Sequence, residues 1–393
     1  MNLSVALAGK PNTGKSTFFK AATLLDVDIA NYPFTTINAN RGYSSVRTCC
    51  PCVELKTLCG HCVGGVRFVP IELVDVAGLV PEAHKGRGLG NAFLDNLRQS
   101  EAIINVVDAS GSTDIEGNVL GASSHDPLED IAMLETEISL WIAAILDKNW
   151  PKLAKKAQLD HNITRVIAMQ LAGLQIDEQH VKHAVLKLGL MNKQLETWGH
   201  QDLVNLSREL RKSAKPIVIA ANKKDIAPLQ NIERITGACK DTVATSGEAE
   251  LALRLADQKG LVTYVPGDTH FAIISQLNQR QKAALERLQE FIKDEGTGVQ
   301  ACLNAAVFDV LRYIVVYPVE DEHHWSDKEG RVLPDAFLLK NGQNAKDLAF
   351  KVHSDIGRGF LYAIDARTKM RLGEHHPLQD GDIIKIVSTS RAK

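Results

Sequence analysis

No run in this 393-residue sequence is long and apolar enough to cross a membrane, and its first ten residues lack the basic-then-apolar order of a secretory leader. Nor is there an excess of one charge. Lys and Arg number 45 against 47 Asp and Glu, a net of −2, which excludes a chain basic throughout that binds nucleic acid by charge alone; a local basic patch stays open. Internal repeats and low-complexity tracts are absent. Without an export signal, the seven cysteines are expected as reduced thiols or metal ligands, and the chain as a cytoplasmic protein. What remains is ordinary for a globular protein of two or three domains, 45% hydrophobic and 23% charged.

The most informative stretch runs from Leu3 to Phe19, LSVALAGKPNTGKSTFF. Val5 to Ala8 reads as a buried first strand. Gly9 to Ser16 then fits G-x-x-x-x-G-K-[ST], the loop that joins a strand to a helix around phosphates. Gly9 and Gly14 let the backbone form a nest of N–H groups, and the helix N-terminus adds positive charge; Pro11, Asn12, Thr13 and Thr17 are the other residues of this stretch expected to line the nucleotide. Lys15 is expected to reach the β and γ phosphates, and the Ser16 hydroxyl to ligate Mg²⁺.

Three further stretches acquire meaning from their order after this loop. Asn31 to Thr36 (NYPFTT) is expected to bring a second hydroxyl to Mg²⁺, from Thr36 or from its neighbour Thr35. Val66 to Val74 reads as a strand ending in Asp75-Val-Ala-Gly78, where Asp75 can hold Mg²⁺ through water and the Gly78 N–H can meet a γ-phosphate. The glycine-rich stretch from Pro81 to Gly90 follows, suited to ordering around that phosphate; within it His84 can orient water, although a solvent-exposed histidine is the expectation. The strand Pro216 to Ala221 leads into Asn222-Lys223-Lys224-Asp225, which fits N-K-x-D. A carboxylate at Asp225 can accept from guanine N1–H and its exocyclic amine, whereas adenine would leave it unpaired. Asn222 is expected to tie this loop to the phosphate loop, the Lys223 stem to cover the base, and Ser246-Gly247 to offer backbone N–H groups to the guanine oxygen. The ligand expected is GTP or GDP.

Between Ser110 and Lys215 the chain reads as helical. Leu128, Ile131, Leu134, Ile138, Trp141, Ile142 and Ile145 recur at three- and four-residue spacings, an amphipathic helix over Pro127 to Leu146. Lys152, Lys155, Lys156, Arg208, Arg211, Lys212 and Lys215 give this region a moderately basic side, equally a solvated face or a contact for RNA. Helices are expected at Gln281–Lys293 and Val299–Leu311. Short strands are expected at Tyr313–Tyr317, Ala336–Leu339, Phe360–Ile364 and Ile383–Val387, around one helix at Ala345–Ser354.

Five cysteines fall within fourteen residues: Cys49, Cys50, Cys52, Cys59 and Cys62, with His61 beside the last. The pattern resembles two ligand-bearing knuckles at the tip of a hairpin, a place with no core of its own to order it. Cys50, Cys52, Cys59 and Cys62 form the best set for Zn²⁺, with Cys49 or His61 as substitutes; a loop of reduced or redox-sensitive thiols is the other reading. Cys239 and Cys302 read as core residues.

GKPNTGKSTFF, NYPFTTI, DVAGLVPEAHKGRGLGN and NKKD together resemble the Obg-like GTPases, in the YchF-related branch of archaea and eukaryotes. The segment from LPDAFLLKNGQNAKDLAF to PLQDGDIIKIV is similar to a TGS domain. The resemblance implies an α/β, Ras-like P-loop G domain (1–110 and 215–311), an inserted helical domain (111–214) and a C-terminal α+β, ubiquitin-like TGS domain (312–390). It also implies a switch acting on ribosomes or RNA in translation or stress control. Bacterial YchF proteins favour ATP and end their fourth motif in Glu, where this chain has Asp225. Leu79 occupies the position of the water-orienting glutamine of Ras-type enzymes. Asn12 resembles the asparagine that helps potassium-dependent GTPases hold K⁺. The hydrolysis expected is therefore slow and Mg²⁺-dependent, resting on Lys15, Asn12, Thr36 and Gly78. The alternatives are a YchF-like ATPase and a non-hydrolysing RNA-binding scaffold.

Overall fold

Continuous apolar runs bounded by turn residues become the central strands of a parallel sheet, because helices cover both of its faces. The structure, a computed structural model, describes residues 3–23, 41–76, 78–79, 81–85 and 97–389. The chain lays down β1 (Ser4–Ala8), α1 (Lys15–Thr23), β2 (Arg41–Cys49), β3 (Cys62–Val63), β4 (Val66–Asp75) and β5 (Ala102–Asp108). Five helices follow: α2 (Pro127–Asp147), α3 (Trp150–Asp160), α4 (Ile163–Leu171), α5 (Glu178–Lys187) and α6 (His200–Ala214). Then come β6 (Ile217–Asn222), α7 (Leu229–Ala238), β7 (Thr242–Ala244), α8 (Gly247–Gln258), the ribbon β8 (Val262–Thr263) and β9 (Ala272–Ile273), α9 (Gln279–Ile292) and α10 (Val299–Asn304).

The main sheet has the order β2-β4-β1-β5-β6-β7, with β3 paired to the β4 edge. β1 lies parallel to β4 and β5, β5 to β6, and β6 to β7. Every residue of β1 and β5 is buried. The order places the C-terminal ends of β1, β4, β5 and β6 side by side, where ligands bind in open parallel sheets.

The helical region shares its core with the sheet. Leu134, Ile138, Ile142 and Leu146 of α2 join Ala6, Val74, Leu79 and Ile103 in one buried cluster, which continues through Val166, Val181 and Leu206. α2 starts at Asp126, whose side chain accepts from the Leu128 N–H, with Pro127 as first helical residue. Trp150 and Trp198 stack with ring centres 5.2 Å apart.

Two compact units emerge, residues 1–44 with 72–306, and residues 45–71 with 307–393. The second has a five-stranded sheet built from β10 (Tyr313–Val319), β11 (Phe337–Lys340), β12 (Phe360–Asp365), β13 (Arg371–Leu372) and β14 (Ile383–Ser388) in the order β11-β10-β14-β12-β13. α11 (Ala345–Val352) buries Ala345, Leu348 and Ala349, and Leu348 packs against Ile314, Val316 and Ile384 of that sheet. Asn344 caps α11 in a capping box with Asp347. A short α12 (Ser354–Arg358) follows. The expected single helix from Val299 to Leu311 is in fact α10 followed by a π-helical stretch, Ala305–Val310.

The hairpin of the cysteine cluster belongs to this second unit. Arg67, 5% exposed, donates through both terminal nitrogens to the carbonyls of Leu333 (3.1 Å) and Pro334 (3.0 Å). Arg367 forks onto Glu54 at 2.8 and 2.6 Å. Among the described residues no helix is long and apolar enough to cross a membrane.

Candidate functional site

The turn from β1 into α1 is possible only with glycine at its two corners. Gly9 has φ +148° and a Cβ there would lie 2.5 Å from the Val106 carbonyl; Gly14 has φ +89° and its Cβ would lie 2.5 Å from Asn222 Nδ2. Asn12 also has positive φ, 62°. Its side-chain amide donates to the Gly117 carbonyl at 3.0 Å. The loop closes with the Phe18 N–H donating to the Gly14 carbonyl at 2.9 Å, the first turn of α1.

β4 delivers Asp75 to this turn. Its carboxylate lies 3.3 Å from the Lys15 ammonium and 3.4 Å from the Ser16 hydroxyl. Asp75 Oδ1 is buried and accepts no hydrogen bond among the described residues. A buried anionic oxygen beside a serine hydroxyl and a lysine suits a hard divalent cation with its water shell. Gly78 sits against Pro11, where a Cβ would come within 3.0 Å of the ring. Leu79 is 1% exposed and donates its N–H to the Gly9 carbonyl at 3.0 Å. Thr35 and Thr36 lie outside the described residues. Thr17 lies on the first turn of α1, partly buried.

Asn222 is the staple of the site. Its Nδ2 donates to the Thr13 carbonyl at 2.9 Å, while Oδ1 accepts from the Gly247 N–H at 3.0 Å and the Thr245 hydroxyl at 3.2 Å. One buried side chain thus joins the β1–α1 loop, the β6 loop and the start of α8. The Ser246 hydroxyl donates to Asp225 Oδ1 at 2.7 Å and accepts from the Ala249 N–H, capping α8. The N–H groups of Ser246 and Gly247 are committed within the protein, to the Thr297 carbonyl at 2.8 Å and to Asn222. Lys223, with φ 64°, turns its ammonium onto Asp108 at 2.8 Å. Burial opposes ionisation of Asp108, but hydrogen bonds from Lys223, Ser110 and Ser112 outweigh it and hold the carboxyl below its usual range.

Several polar partners of this site are silent in the sequence. Lys10, fully buried, pairs with Asp130 of α2 at 2.8 Å and donates to the Thr113 carbonyl at 2.8 Å. His125 holds the other Asp130 oxygen at 2.8 Å. His84 is not the exposed residue expected: its side chain is 15% exposed and its Nδ1 lies 2.7 Å from Glu137. The one signal for Asp130 and Glu137 is their place inside the apolar arc of α2, among Ile131, Leu134 and Ile138.

In the second unit, the sulfurs of Cys50, Cys52, Cys59 and Cys62 all lie within 4.8 Å of one another. The Cys50–Cys59 and Cys52–Cys62 pairs are 3.8 and 3.5 Å apart. Bonds of about 2.3 Å to a tetrahedral Zn²⁺ would separate sulfurs by about 3.8 Å, so the four fit such an ion. Cys49 is exposed and outside the group, and Cys302 is buried, whereas Cys239 is only half-buried. Burial pushes the Cys50 thiol up, and burial with hydrogen bonding to Cys52 and Cys59 takes Cys62 to about 11, whereas against its own burial, hydrogen bonds from the His61 N–H and the neighbouring thiols hold Cys59 below the usual thiol range.

Comparison with known proteins follows the same division. A family model described as 50S ribosome-binding GTPase matches residues 4–137, one described as Obg-like GTPase YGR210-like, G4 motif-containing domain, matches 220–321, and the TGS domain matches 329–388. The chain is 49% identical to an uncharacterized GTP-binding protein of Methanocaldococcus jannaschii, over 98% of this chain and 99% of the relative. It is 27% identical to the ribosome-binding ATPase YchF of Bacillus subtilis, over 98% of both. The crystal structure of a GTP-binding protein from Pyrococcus horikoshii superposes with TM-score 0.79 at 40% identity, covering 98% of this chain and 100% of that one. The likeness runs along nearly the whole chain, through the GTPase half and the TGS domain, and the chain belongs to the Obg-like GTPases of the YchF-related branch.

Proposed function

We propose that the protein binds GTP and GDP at the Gly9–Ser16 loop and hydrolyses GTP slowly with Mg²⁺, as a nucleotide-dependent switch on a ribosome or RNA partner in the cytoplasm. The observation that carries this reading is the Asn222 staple, which ties the loop carrying Asp225 to the phosphate loop through Thr13. A carboxylate there pairs with the two donors of guanine and leaves adenine unmatched. Backbone amides of residues 9–17 and the Lys15 ammonium would take the phosphates, with the Lys223 stem over the base. Ser16 and Asp75 would hold Mg²⁺, with Thr36 as the added ligand, and the ion would supply neutralisation of the phosphate charge. Asn12 would meet K⁺ through its side-chain oxygen, since its amide nitrogen already serves Gly117. Buried Leu79 takes no part in orienting water. Lys15 and the Gly78 N–H stabilise developing charge, which accounts for a slow reaction.

The ribosome enters from the family model matching residues 4–137 and from the name of the Bacillus subtilis relative. The four-cysteine set would hold Zn²⁺ as a structural ion. In the domain reading that accompanies this function, residues 111–214 and 312–390 carry the output. The test is nucleotide affinity in wild type and Asp225→Asn. Wild type should prefer GTP over ATP by at least ~100-fold, and the variant should lose most of that preference. Equal affinities for GTP and ATP in wild type would establish the ATPase reading instead. Co-sedimentation with ribosomal subunits in GTP but not GDP checks the switch.

A further inference from the structure

Glu137 is a buried carboxylate that none of the recognised motifs employs. It lies seven residues beyond Asp130 on α2, two turns along the same buried face. Its Oε1 accepts from the Glu82 N–H at 2.7 Å. Its Oε2 accepts from the His84 N–H at 3.0 Å and pairs with His84 Nδ1 at 2.7 Å. One carboxylate thus receives three hydrogen bonds from two residues, Glu82 and His84, and the residue between them, Ala83, is 1% exposed within the core. Glu82 has φ 66°, a left-handed conformation that a glutamate adopts only when its surroundings impose it.

These residues stand four to six positions beyond Gly78, and the same segment is fastened at its start by the Leu79 N–H on the Gly9 carbonyl. The backbone after the D-x-x-G motif is therefore held at two points, one on the phosphate loop and one on α2. α2 holds the phosphate loop as well, through the Asp130–Lys10 pair. Anchoring by an orienting carboxylate fixes both the imidazole and the backbone it belongs to.

We propose that Glu137 is a positioning residue for the γ-phosphate-dependent step: through His84 and the Glu82 amide it sets the register of the segment that carries Gly78. This rests on the reading of the site as a GTPase centre. Diphosphate binding does not call on Gly78, so the two nucleotide states should respond differently to loss of the carboxylate.

The first measurement needs no nucleotide. Hydrogen exchange in the wild-type chain should show protected amides at Glu82 and His84, and Glu137→Ala should expose them while the rest of α2 stays protected. Kinetics follow. Glu137→Ala should lower kcat about tenfold and the GTP-over-GDP affinity ratio by a similar factor, with GDP affinity within about twofold of wild type. Glu137→Gln, which keeps one acceptor oxygen, should recover part of both. Glu137→Ala combined with His84→Ala should cost no more than Glu137→Ala alone, as expected of two residues acting as one unit. Amides at 82 and 84 unprotected in wild type overturn the proposal, and so does Glu137→Ala with wild-type kcat and affinity ratio. Equal loss of GDP and GTP affinity also overturns it, marking a purely structural residue. A wild-type chain that binds no guanine nucleotide defeats the underlying reading instead, and that result is visible before any variant is made.

Discussion

Lys10 shows what a single residue contributes when the sequence pattern passes over it. It occupies a free position of G-x-x-x-x-G-K-[ST], where any residue satisfies the motif, yet its ammonium is fully buried between Asp130 and the Thr113 carbonyl. Removing one partner of a buried ion pair leaves the other charge without compensation and typically costs about 3–5 kcal/mol. Lys10→Met should therefore destabilise the fold by about that amount in chemical denaturation, and Lys10→Met with Asp130→Leu should recover much of the loss. Burial pushes the Asp130 carboxyl up against the pull of Lys10 and His125, so once Lys10 is gone this carboxyl should be the first in its neighbourhood to take a proton. The motif residues were legible because the chemistry of phosphate and guanine restricts residue type at each position. Lys10, Asp130 and Glu137 were not, because a charge on a helix face or in a loop reads as solvated until a partner distant in sequence is brought to it.

At the scale of elements, the strands were legible wherever burial was complete. Val5 to Ala8 is apolar without interruption, and Ile103 to Val107 is interrupted only by the buried Asn105, because helices cover both faces of the sheet. Helix α2 was legible from its period. What eluded sequence reading were local departures, such as the π-helical stretch Ala305–Val310 and the two-residue strand β13, in which tertiary packing overrides propensity. The turn Glu295–Gly298 is another such element, and it supports the base loops. Lys224 of the N-K-x-D loop pairs with Glu295 at 2.8 Å, and the Thr297 carbonyl takes the Ser246 N–H. Beneath them Glu250, 2% exposed, accepts from the Tyr264 hydroxyl at 2.9 Å and the Thr297 hydroxyl at 2.5 Å. The approach is so close that a Cβ on Gly298, φ +81°, would stand 2.0 Å from the Ala244 carbonyl. Backbone cannot yield to that contact as a side-chain tip can. Gly298→Ala should push this turn away from Ser246 and weaken guanine nucleotide binding by ~10-fold or more, in GDP and GTP alike. Titration of a fluorescent guanine nucleotide checks it. An affinity within twofold of wild type would show that the base loops stand without this support.

For the molecule as a whole, the division into two units assigns the cysteine hairpin an unexpected place in the chain's architecture. Residues 45–71 interrupt the P-loop half in sequence, yet they fold with residues 307–393. Arg67 satisfies two carbonyls of the segment before β11, and Glu54 receives the fork of Arg367. Glu54 lies between Cys52 and Cys59 and Arg67 shortly after Cys62, so a metal that fixes the four sulfurs would also fix the geometry from which Glu54 and Arg67 reach. A structural zinc site contributes its binding free energy to folding, since the unfolded chain does not present a formed site. The loss on removing it should fall on the second unit. Chelation, or Cys52→Ser with Cys62→Ser, should lower the melting temperature of that unit by at least ~10 °C. Guanine nucleotide affinity, which we assign to the first unit, should stay within about twofold of the untreated protein. Elemental analysis fixes the stoichiometry, at one zinc per chain, and calorimetry with and without chelator reads the transition. Less than a tenth of a zinc per chain, or a transition unmoved by chelation, would leave the hairpin held by Arg67, Arg367 and the packing of its thiols alone.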